Sequence, residues 1–120
     1  MATKTVSKPS KATTKSKSGS TKFSKEIYVK WYKDMLLIRR FEEKCGQLYI
    51  QQKFGGFLHL YIGQEAIVAG TVSGSRVGDK HMTAYRDHGH PIALGTDVRV
   101  LMAELYGRKT GCSKGKGGSM

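Results

Sequence analysis

Tyr85-Arg86 is the dipeptide in this chain best suited to hold a phosphate. Arginine offers a planar, permanently charged fork that matches phosphate geometry, and a neighbouring phenol adds a donor. By itself such a pair is an ordinary surface dipeptide. Its setting is Thr83-Ala-Tyr-Arg-Asp-His-Gly89, after a turn and a short apolar stretch, so both side chains can point into one cleft. His59 stands in a second block, Phe54-Gly-Gly-Phe-Leu-His-Leu-Tyr-Ile-Gly-Gln-Glu-Ala66. A histidine donates to a carboxylate or oxyanion and moves protons near neutral pH. Bare residue statistics favour a packed or solvent-facing ring instead.

Two further clusters invite chemistry and lose it on inspection. A phosphate loop needs Gly-x-x-x-x-Gly-Lys-Ser/Thr. Gly115-Lys116 has Thr110 where the first glycine belongs and Gly117 where the hydroxyl belongs. Gly115-x-Gly117 is no dinucleotide fingerprint either, since neither a strand before it nor a helix after it is visible. The segment is either a mobile basic loop or a loop at a substrate site. The histidines at 59, 81, 88 and 90 suggest zinc, but only His88-x-His90 is closely spaced. Cys-x-x-Cys is absent and acids are sparse, so no metal site is assigned.

These residues need elements to position them. Ser24 is a suitable N-cap, with Glu26 in the first turn. Ile27, Trp31, Met35, Ile38, Phe41, Cys45 and Leu48 then recur at helical spacing, which predicts a helix to about Gln52, stopped by Gly55-Gly56. That stripe reads as core packing. Residues 57–63 read as a connection carrying His59, and Gly63-Gln64-Glu65-Ala66 as the start of a scaffold helix over 64–72. Val77-Gly-Asp-Lys is a turn. His81 to Tyr85 is expected to form a short buried strand edge. Asp97 caps a helix whose face is Val98, Leu101, Met102 and Leu105. From Gly107 onward the composition predicts loop.

Composition limits the rest. Residues 1–25 hold seven Lys and no acid, with Val6 and Phe23 as the only sizeable apolar side chains. Such a stretch cannot offset its ordering entropy, so a disordered tail over 1–25 and one domain over 26–120 are expected. The net charge is +12, more than half of it from that tail. A basic arm binds nucleic acid non-specifically. The body's aromatics are not interleaved with Lys and Arg, however, so a small basic nucleic-acid-binding protein is the second reading. No apolar run approaches the roughly 20 residues of a membrane span. Cys45 and Cys112 are isolated, which suggests a reducing compartment and a bacterial cytoplasm. The mitochondrial matrix is the alternative, because acids are absent before Glu26; against it, the first Arg is Arg39.

The blocks at 54–66 and 83–89, with Gly107-Arg-Lys-Thr-Gly-Cys-Ser-Lys-Gly-Lys-Gly-Gly-Ser-Met120, resemble one family. It is that of the alpha subunits of thiamine-diphosphate-dependent pyruvate dehydrogenase, the decarboxylating component. The resemblance covers about residues 30–120. It implies an α/β fold, here its N-terminal helices and part of a thiamine-diphosphate-binding fold with a parallel sheet flanked by helices. It implies that Tyr85 and Arg86 contact the cofactor's diphosphate. It puts His59, as catalytic and substrate-binding residue, near the thiazolium ring and the 2-oxo acid. Magnesium ligands and the segment that touches the aminopyrimidine belong to a part of the family pattern beyond Met120, so the 120-residue chain is expected to be inactive alone. The implied partners are a beta subunit, in a heterotetramer, and a lipoyl-bearing dihydrolipoyl acetyltransferase that accepts the acetyl unit. A branched-chain 2-oxo acid or acetoin dehydrogenase alpha subunit is the related alternative.

Overall fold

The computed structural model describes residues 22–117. The expected tail over 1–25 therefore lies outside the described residues apart from 22–25. Phe23 sets its ring edge-on to Trp31 with centroids 4.9 Å apart, and Lys25 opens the first helix.

Helix α1 runs Lys25–Ile50. Its sequence holds no proline and is rich in Lys, Glu, Leu and Arg, which lose little rotamer freedom in a helix. Ser24 precedes it in extended conformation, and its carbonyl accepts from the Ile27 amide at 3.1 Å. The expected apolar stripe is only half realised. Ile38, Phe41 and Cys45 are buried with Leu48 packed beside them, while Ile27, Trp31 and Met35 stay half-exposed. The helix ends before the expected Gly55-Gly56. Gln52 takes a left-handed turn (φ 55°), and the Lys53 amide returns to the Leu48 carbonyl at 3.0 Å. That return bond closes the helix without glycine.

Helix α2, Glu65–Gly74, begins where Gly63-Gln64-Glu65-Ala66 predicts a helix start. Glu65 occupies its first turn, where a carboxylate is favoured. It accepts from the Gly63 amide at 3.1 Å and from Arg39 Nε at 2.6 Å, tying α2 to α1. The Arg39 bond is the main reason the Glu65 carboxyl lies below its ordinary pKa. Helix α3, Gly89–Ala93, is a single short turn that periodicity did not announce. Helix α4, Val98–Leu105, is capped as expected, with the Asp97 carboxylate accepting from the Arg99 amide at 2.8 Å.

The core gathers Ile38, Phe41 and Cys45 of α1, Tyr61, Val68 of α2, Ile92 of α3, and Leu101 and Leu105 of α4. Ile38 and Val68 are fully enclosed, each contributing about 1.5–3 kcal/mol by burial. The expected strand at His81–Tyr85 is not formed. That segment is irregular and mostly exposed, and the described residues contain no strand. A strand is stabilised by cross-strand pairs, and no neighbour is present here to supply them. The α/β expectation is thus met only in its helical part; the parallel sheet is not among the described residues. None of the described helices is long and apolar enough to cross a membrane.

Candidate functional site

The two blocks chosen for chemistry meet in space. The Tyr85 ring lies over His59 with centroids 4.3 Å apart, tilted by 45°. The Arg86 guanidinium sits 5.8 Å from the centre of the Tyr85 ring, at cation–π distance. So His59, Tyr85 and Arg86 form one continuous surface, although His59 and Tyr85 belong to different connections. His59 is half-buried; Tyr85 and Arg86 are exposed.

The turn that displays them is strained. Tyr85 and Arg86 both have positive φ, 59° and 35°. Such conformations cost on the order of 1–3 kcal/mol each for residues with a Cβ, and they persist where the surroundings over-determine them. Gly89 supplies part of that constraint. A Cβ there would lie 3.0 Å from Tyr61 Cδ1 and 3.2 Å from Val68 Cγ1, so a larger residue would have to push those side chains aside. His88 supplies the rest: its Nδ1 stands 2.9 Å from Glu42 Oε1 of α1, in the core.

The electrostatics of the three residues differ. Arg86 is in none of the ion pairs among the described residues. Its fork is open to an external anion, which suits a diphosphate. His59 Nδ1 lies 3.2 Å from the Phe57 carbonyl. A carbonyl only accepts, so Nδ1 carries the hydrogen and Nε2 holds the lone pair. That nitrogen is left to meet a donor.

The Gly-Lys segment is a loop, as composition predicts, but it is folded onto one carboxylate. Buried Glu104 of α4 accepts from the amides of Ser113 at 2.8 Å, Gly115 at 3.0 Å and Gly117 at 3.2 Å. These bonds, that of Gly115 first, hold the Glu104 carboxyl below its ordinary pKa against the opposing effect of burial. Gly111 is required, since a Cβ would come within 2.7 Å of the Glu104 nitrogen. A cavity of about 220 Å³ lies between this loop, α3 and α4, bounded by Asp87, His88, Glu104 and Cys112.

Sequence reasoning missed Glu42 and Glu104, both almost completely buried. The signal was present: Glu42 lies four residues after Ile38 and three before Cys45, on the apolar stripe itself. Cys45, one turn on, has its thiol pushed up to about 12 by burial and by the Glu42 carboxylate. No group of three or more His, Cys, Asp or Glu side chains suited to a metal ion exists among the described residues.

The comparisons with known proteins identify the class to which these helices and loops belong. The dehydrogenase E1 component family matches residues 33–120, and the chain belongs to that family. It is 62% identical over 96 residues to the pyruvate dehydrogenase E1 component subunit alpha of Rickettsia prowazekii, covering 80% of this chain and 29% of that protein. It is 57% identical over 119 residues to the subunit of the same name from Rhizobium meliloti, covering 98% and 33%. The chloroplastic alpha-3 subunit of Arabidopsis thaliana is 44% identical over 97 residues, covering 81% and 23%. The chain spans about a third or less of the length of these curated relatives.

Proposed function

We propose that this chain is the cofactor-side part of a pyruvate dehydrogenase E1 alpha subunit, acting in thiamine-diphosphate-dependent oxidative decarboxylation of pyruvate. The observation that carries this is the meeting of His59 with Tyr85, 4.3 Å between ring centroids, beside an arginine outside every ion pair described. Relatives at 57–62% identity bear the pyruvate dehydrogenase name, which supports pyruvate over a branched-chain 2-oxo acid or acetoin. When bound, thiamine diphosphate supplies the carbon nucleophile and the electron sink that decarboxylation requires.

The chain's own residues do the rest. Arg86 grips the diphosphate with its planar fork, and the Tyr85 hydroxyl adds a donor. His59 meets the 2-oxo acid through Nε2, orienting its carboxylate or moving a proton. Magnesium is assigned no ligand among the described residues. The partners are a beta subunit, in a heterotetramer, and a lipoyl-bearing dihydrolipoyl acetyltransferase that takes the acetyl group. A bacterial cytoplasm is the assigned location, following the bacterial relatives, with the mitochondrial matrix second.

A chimera tests the assignment, with this segment replacing the matching third of the Rhizobium meliloti subunit. His59→Ala in it should leave thiamine diphosphate affinity nearly intact. The rate at saturating cofactor should fall by ~10²–10⁴-fold, as expected for a lost positioned donor or proton shuttle. A loss of kcat together with kcat/KM marks a transition-state contact, whereas a raised KM alone marks carboxylate binding. Wild-type kinetic constants in the mutant would remove His59 from the site.

A further inference from the structure

We propose that the buried Glu42–His88 pair is a clamp that fixes the turn presenting Tyr85 and Arg86, which makes Glu42 and His88 positioning residues of the site. The inference rests on the assignment of Arg86 to a diphosphate. Glu42 is fully enclosed on the core face of α1, and His88 is almost as buried. A carboxylate is costly to bury, and apolar side chains of similar volume commonly serve a core as well or better. Nothing in α1 alone asks for an acid between Ile38 and Cys45. What the acid does is reach the Tyr85-Arg86 turn: its Oε1 lies 2.9 Å from His88 Nδ1. With Nδ1–H as the donor to that oxygen, the bond fixes both the tautomer and the plane of the ring.

The placement of the bond explains its use. His88 is two residues from Arg86. The turn has positive φ at Tyr85 and Arg86, and its upstream side, residues 82–84, is exposed and irregular. Its downstream side is pinned at two adjacent residues, by Glu42 at His88 and by the Tyr61–Val68 surface at Gly89. Phe41 adds an edge contact to the His88 ring, with centroids 5.7 Å apart. The Gly89 contact is steric and only keeps the backbone near. The Glu42 bond is directional and selects one backbone course through the strained residues. The second carboxylate oxygen of Glu42 is buried with no hydrogen-bond partner among the described residues. Leaving an acceptor unmet is a cost that core packing alone would not retain.

Two substitutions of nearly equal polarity separate clamp from packing. His88→Asn places its amide nitrogen close to where Nδ1 stands and keeps the donor. His88→Gln places it near the Nε2 position and loses the bond. On the 120-residue chain, 15N relaxation of the Arg86 amide should report a rigid turn in wild type and in His88→Asn. In His88→Gln the order parameter should fall below about 0.6, the flexible range. Inorganic pyrophosphate, titrated against the Arg86 Nε resonance, should bind about tenfold more weakly to His88→Gln than to His88→Asn. If His88→Gln does not fold, Glu42→Leu removes the acceptor from the other side and carries the same expectations. An Arg86 amide as rigid in these variants as in wild type, whatever the melting temperature, overturns the clamp. A mobile Arg86 with pyrophosphate affinity unchanged, in His88→Gln and in Arg86→Lys alike, leaves the clamp standing and retires the diphosphate assignment.

Discussion

The Tyr85-Arg86 turn and the Gly107–Gly117 loop both contain the ingredients of an anion site, and they dispose of them in opposite ways. The loop turns its backbone donors inward and closes them on a carboxylate of its own chain: three amides converge on Glu104. The turn sends a guanidinium outward and leaves it outside every ion pair among the described residues. Its internal carboxylate, Glu42, binds the neighbouring His88 and not Arg86. Internal carboxyl groups therefore shape both segments, but only in the turn does a charged fork stay available.

The largest effect that separates the two should come from the core side of the turn. His88→Ala leaves Glu42 buried without its basic partner and is expected to cost about 3–5 kcal/mol, read by urea unfolding. A cost below ~1 kcal/mol would mean that the pair is not a coupled buried unit.

Gly111→Ala probes the loop. Its Cβ would fall on the Glu104 backbone, and neither backbone is free to shift far. Overpacking of this kind costs about 1–3 kcal/mol, and faster amide exchange at Ser113, Gly115 and Gly117 should accompany it. The Arg86 amide should be unaffected, since the two segments hang on different carboxylates.

Acid should open the loop. The Glu104 pKa is lowered in the folded chain from its ordinary value of 4.5. The loop's extra stability is then fully present above that ordinary value and is lost as pH falls through the lower, folded one. Amide protection at Ser113 and Gly115 should decline in that acid window, and Glu104→Gln should abolish the pH dependence. Protection that declines equally in Glu104→Gln would assign the transition to another group.

The smallest effect is on the exposed fork. Arg86→Lys should change stability by no more than ~0.5 kcal/mol, as is usual for a surface substitution. It should nonetheless weaken pyrophosphate binding, because a point ammonium cannot reproduce the bidentate geometry. A large loss of stability would show that Arg86 is structural after all.

Much of the scaffold was legible in the sequence for local reasons. Helix α4 follows from Asp97 as cap and from Leu101 and Leu105 on one face; the start of α2 follows from Gly63-Gln64-Glu65. The strand expected at His81–Tyr85 failed because a strand is a pairing, and pairing is not a local property. Helix α1 ends close to the expected Gln52, but it is closed by a left-handed turn at Gln52 and not by Gly55-Gly56.

The sequence by itself singled out His59, Tyr85 and Arg86 as candidates through the blocks in which they stand, and those blocks identify the family. It also determined that the Gly-Lys segment lacks the spacing of a phosphate loop. Only the tertiary structure decided that His59 and Tyr85 touch, that Glu42 reaches His88 from another element, and that Glu104 fills the loop's ring of amides. The physical reason is that periodicity and capping act within about one turn of chain. A buried charge is tolerated or not according to a partner that may lie 46 positions away, as His88 does from Glu42.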